Sequence, residues 1–97
     1  LLDAFGYCSW ETAEELRSLH EQKADEENIA AAKGDVGEPS EIDDHDVHIR
    51  SHVRFMLSGD FAEAKKRHKT LESDMLAHVR AHRTMKALEA RTEAENA

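Results

Sequence analysis

Three features of this 97-residue chain point to an all-α fold. No stretch alternates apolar and polar residues as a half-buried strand does, and β-branched residues are few. Over residues 71–85, apolar and histidine positions recur at steps of three and four. Gly, Ser and Asp stand where helices would begin and end. The expected architecture is a long helix, an acidic loop and an antiparallel helical hairpin, forming a small helical domain or fragment.

Residues 1–8 are apolar with one glycine and read as the end of a preceding segment. Ser9 is a candidate N-cap for a helix over residues 9–33, and Glu11, Glu14 and Glu15 suit the positive end of its dipole. Trp10, Ala13, Leu16, His20 and Ala24 form one modest apolar stripe. Gly34 can take the left-handed C-terminal cap. Residues 34–43 form a loop punctuated by Gly37 and Pro39. Six acidic residues lie from Asp35 to Asp46, but their spacing does not follow an EF-hand.

The hairpin is expected over residues 44–92. Asp43 or Asp44 caps its first helix, which runs to about Leu57. Ile49, Val53, Met56 and Leu57 share one face; His45, His48, His52 and Phe55 share the adjacent one. Asp60, with Glu63 three residues on, is a candidate capping box for the next helix. A pause is expected near Lys69 and Thr70. Leu71, Met75, His78, His82 and Met85 then form an a/d seam. The polar tail, residues 93–97, is expected to fray.

Composition narrows the function classes. Hydrophobic residues make up 39% and charged residues 35%, a thin basis for a self-sufficient core at this length. The net charge is −8, unevenly placed: residues 1–60 carry −10 and residues 61–97 carry +2. So acidic a first part argues against a general phosphate-binding surface. The cluster Lys65, Lys66, Arg67 and Lys69 is the one candidate contact for DNA or an acidic partner, although an ordinary solvated helix face has the same composition. Cys8 is the only cysteine, which excludes an internal disulfide and a cysteine-based zinc finger. No apolar run is long enough to span a membrane. The chain begins with Leu1, which suggests a processed protein or an excised fragment.

The chemistry-bearing pattern is a pair of matched steps: His48 with His52, and His78 with His82. A step of four puts two imidazoles on one helix face. Packed antiparallel, the helices would bring the four rings together. Neutral imidazole ligates zinc, copper, nickel or iron, so a divalent transition metal is possible, with Asp44 and Asp46 as ligands or supporting partners. A seam of packed histidines between Met75 and Met85 is the more ordinary outcome, and no cofactor is required by it. His-Glu-x-x-His, a nucleophile motif and a phosphate loop are all missing, so the chain is expected not to be an enzyme.

The run Ala24-Asp25-Glu26-Glu27-Asn28, then Gly34, then Asp43-Asp44-His45-x-x-His48-Ile49-x-x-His52-x-x-Phe55-x-x-Ser58, and later His78 and His82, resembles the C-terminal region of tailed-bacteriophage portal proteins. The resemblance covers residues 20–85. It implies a homo-oligomeric ring, usually dodecameric, at one capsid vertex. Double-stranded DNA passes through such a ring without sequence-specific contact, and other head-assembly proteins dock on it. It places the chain in the virion, and in the host cytoplasm during assembly. Acidic residues such as Glu38, Glu41, Asp43 and Asp44 would then repel passing DNA. Two alternatives stand beside it: a histidine-rich metal-binding hairpin, and a DNA-contacting module using the basic cluster with Arg80 and Arg83.

Overall fold

The structure, a computed structural model, describes residues 10–96. Residues 1–8, the Ser9 cap, Cys8 and the side chain of Trp10 lie outside the described part. Four helices follow in order: α1 (Trp10–Ala32), α2 (His45–Met56), α3 (Gly59–Arg67) and α4 (Leu71–Asn96). No strand occurs among the described residues. The expected all-α class holds.

Local chemistry explains the boundaries. Gly34 adopts φ +94°, Gly34 N–H donates to Ala31 O, and Asp35 N–H donates to Ala30 O. This is a Schellman cap, and it ends α1. Asp44 caps α2 by accepting from Val47 N–H at 3.2 Å. The α3 cap is Ser58, which accepts from Phe61 N–H, and not the expected Asp60. Asp60 sits two residues past the cap and instead lends its charge to the first turn. His68 leaves helical geometry, which makes the pause expected near Lys69, and α4 starts after Thr70. α4 continues to Asn96.

Helix directions follow from the cross-contacts. Lys23 meets Asp43, Glu27 meets His48 and Asn28 meets His52, so α1 and α2 run parallel. His45 meets Glu89, Asp46 meets Lys86 and His52 meets His78, so α4 runs antiparallel to α2. α2 packs against both long helices. Because α1 and α2 are parallel, the loop between them carries the chain back roughly 15–18 Å along α1.

The interior has two halves. One is apolar: Ala31, Phe61, Ala64, Leu71 and Met75, with Val36, Phe55 and Met56 packed against them. Phe55 and Phe61 meet edge to face at 5.3 Å. The other half is polar and is built from histidines. Several expectations change here. Ala13 and Leu16 are exposed, so those positions of the α1 stripe are not core. α2 has 12 residues against 23 in α1, so it covers only the later part of α1. There Ala24, Asn28 and Ala31 are buried. Leu57 is 83% exposed, and the histidine face of α2 is the one turned inward. Asp43 is not part of an acidic surface: it is buried, paired with Lys23, and accepts from Ser40 N–H.

Candidate functional site

The two histidine pairs converge. His48 and His52 face inward from α2, and His78 and His82 face inward from α4. The antiparallel pairing sets His52 against His78 (ring centroids 4.8 Å apart) and His48 against His82 (4.9 Å). All four are buried, and His48 and His82 have no exposed surface.

α1 supplies the residues that pattern alone did not reveal. Glu27 Oε1 lies 3.2 Å from His48 Nδ1, 3.2 Å from His52 Nε2 and 3.7 Å from His78 Nε2. One carboxylate oxygen therefore faces three imidazoles. Asn28 Oδ1 accepts from His52 Nδ1 at 2.7 Å, while its amide donates to Ser51 O and Oγ. On the far side, His45 Nδ1 meets His82 Nδ1 at 2.8 Å. His78 Nδ1 donates to Gly37 O at 2.7 Å, which ties the returning loop to the hub. Asp43 stands 3.7 Å from His48 Nε2.

Glu27, Asn28, Asp43 and His45 were thus missed as site residues. The weak signal for the α1 pair is their position on the inward face of α1, with Ala24 and Ala31 at helical spacing. The expected ligands Asp44 and Asp46 are elsewhere: Asp44 caps α2, and exposed Asp46 pairs with Lys86. The structure also separates the basic cluster from the hub. Lys65 pairs with Glu72 and lies over the Phe61 ring, Lys66 pairs with Glu63, and Arg67 and Lys69 are exposed. Lys65, Lys66 and Arg67 stand in the last turn of α3, where positive charge suits the dipole.

The hub perturbs its own titration. Burial pushes the Glu27 carboxyl up, but the close polar contacts with His48, His52 and His78 together outweigh it and hold it far below the usual range. Burial, joined by the charges of neighbouring His78, His48, His52 and His45, lowers His82 from 6.5 to about 4. His78 moves the other way: burial lowers it, but Glu27 and Gly37 O raise it further. Burial raises Asp43, and the bonds to Lys23 and Ser40 N–H bring it below its ordinary value. Such a set of mutually polarising groups can hold a cation or store protons.

No protein-family model, no curated protein and no solved structure matches this chain. Among the described residues, no helix is long and apolar enough to cross a membrane.

Proposed function

We propose that this chain is a structural and assembly module of a tailed-phage portal, part of the ring through which double-stranded DNA is packaged and ejected. The observation that carries this reading is where the residues of the resemblance fall. Asn28 binds His52, Gly34 forms the α1 cap, and Asp43 locks onto Lys23. Asp44 caps α2, Ser58 caps α3, and His48, His52, His78 and His82 make the hub. Several residues of the spaced run thus meet in one tertiary unit, which supports treating it as a signature rather than a chance string.

Two surface features fit the same reading. Leu16, Leu19, Ile29, Leu57 and Leu88 are more than half exposed, as expected of faces that neighbours in a ring would cover. Glu38, Glu41 and Asp44 are exposed and would repel passing phosphates. Other head-assembly proteins are the expected further partners.

The test is to express the parent chain that carries this sequence and measure its mass by light scattering, with electron microscopy of the particles. A closed ring containing this region, and this sequence in peptides from purified virions, is the expected result. A monomeric parent chain absent from virions overturns the proposal.

A further inference from the structure

We infer that the hub is a binding site for one divalent transition ion of the zinc class, held by Glu27, His48, His52 and His82. The inference does not depend on the portal reading, because it rests on atoms inside this chain.

Geometry is the first support. One ligand atom from each of these four residues lies within 4.8 Å of the other three. Metal bonds of about 2.0–2.1 Å in a tetrahedron place ligand atoms about 3.3 Å apart. His48 Nδ1 and His52 Nε2 already stand 3.2 Å from Glu27 Oε1, and binding would draw the rest of the set, now within 4.8 Å, closer together. His78 Nε2, 3.2 Å from His82 Nε2, stands beside the set as a substitute or fifth ligand.

Proton placement is the second support. Asn28 orients its oxygen towards His52, because its amide donates to Ser51 O. His52 Nδ1 must therefore be the N–H, and its Nε2 keeps a lone pair in the neutral ring. That buried Nε2 has no hydrogen-bond partner, although Glu27 Oε1 is 3.2 Å away. Two buried electron-rich atoms 3.2 Å apart repel unless a proton or a metal ion stands between them. His78 is set the same way, since Gly37 O can only accept. On the His82 side a relay runs outward: His82 Nδ1 faces His45 Nδ1, and His45 Nε2 faces the Glu89 carboxylate at 3.4 Å. His82 Nδ1 is thus engaged with His45, and Nε2 is its inward atom. His48 Nε2 faces Asp43, so Nδ1 is its inward atom.

His52 and His78 thus give their outer N–H to an acceptor, the Asn28 and Gly37 oxygens, and turn the other nitrogen inward. Metal-ligating histidines have this arrangement, with the outer N–H given to a carboxylate or carbonyl that fixes the tautomer. The donor set also selects the ion. Three imidazoles and one carboxylate suit zinc, copper, nickel or iron, whereas calcium and magnesium require oxygen cages.

The experiment titrates the EDTA-treated 97-residue chain with zinc ion alone, read by calorimetry and by thermal melting. One ion per chain and a higher melting midpoint are expected. Glu27→Gln should weaken binding at least about tenfold, and Asn28→Ala, which frees the His52 ring, about 10–100-fold. Long-range ¹H–¹⁵N spectra of the unaltered chain cover the case in which a variant does not fold. Zinc should shift His52 Nε2, His82 Nε2 and His48 Nδ1, and leave His20 and His68 in place. No binding to the unaltered chain, or shifts confined to His20 and His68, overturns the inference. A metal-free chain that is unfolded and folds on zinc supports it; one that stays unfolded with zinc overturns it.

Discussion

Replacing Asn28 by Ala is the sharpest probe of how the polar half of the interior is held. Asn28 is 9% exposed, and its side chain donates to Ser51 O at 3.3 Å and Ser51 Oγ at 3.1 Å. It also accepts from His52 Nδ1 at 2.7 Å. After truncation Ser51 Oγ still donates to Asp25 at 3.2 Å, so it is not stranded. The His52 N–H is stranded, and an orphaned buried donor costs about 1–3 kcal/mol. Loss of the bonds to Ser51 adds about 1 kcal/mol. The better helix propensity of Ala returns up to about 0.7 kcal/mol. The net loss is therefore about 1–3 kcal/mol, from a total stability of roughly 5–15 kcal/mol for a domain. For a chain of this size that lowers the melting midpoint by roughly 4–24 °C. Urea unfolding followed by circular dichroism, on the metal-free chain, measures it. Ile29→Ala is the control: Ile29 is the next residue on α1, is 60% exposed, and should change stability by no more than about 0.5 kcal/mol. If Asn28→Ala is no more destabilising than Ile29→Ala, the hub is not held by this amide, and the tautomer assigned to His52 has no basis.

Three further outcomes follow from the same structure. Phe61→Ala opens a cavity in the apolar half, where Phe61 is 2% exposed, and should cost about 3–5 kcal/mol in urea unfolding; a loss below about 1 kcal/mol would mean that the cluster is not the apolar core. Gly34→Ala forces an L residue to φ +94° and sets a Cβ 2.7 Å from the His68 ring, so about 1–2 kcal/mol or more should be lost; wild-type stability would rule out the left-handed cap. Acidification should destabilise the metal-free chain. The folded-state pKa of His82, about 4, lies below its ordinary 6.5, so the unfolded chain takes up this proton first and stability falls as pH drops from about 6.5 to 4. The full effect is at most about 3 kcal/mol. His78, raised, has the opposite sign, but its contribution is complete below about 6.5 and adds no slope in that window. The depressed Glu27 and Asp43 extend the loss below the window. Melting midpoints that are equal at about pH 6.5 and about pH 5 would refute this assignment.

Much of the architecture was legible in the chain because it depends on local chemistry. Gly34 ends a helix wherever a left-handed residue is needed, and Asp44 caps the next one through a bond three residues away. The a/d seam from Leu71 to His82 announces one buried face of α4, and that face is buried. The two histidine steps likewise announce two rings per helix face, and their convergence needs only that α2 and α4 pack antiparallel. Asp60 misled because two caps compete within three residues, and the earlier one, Ser58, reaches Phe61 N–H.

What the tertiary structure alone decided is which partners the histidines receive. Nothing in the spacing of Glu27 or Asn28 marks them as partners of His52, which lies more than twenty residues away. Their place depends on α1 lying parallel to α2, and that depends on a loop that turns back along α1 and seals His78 with Gly37 O. The same return takes Asp43 out of solvent and sets it between Lys23 and His48. Periodicity reports which face of a helix is turned inward. It carries no information about which residues of another helix arrive there, because that is set by helix direction and register.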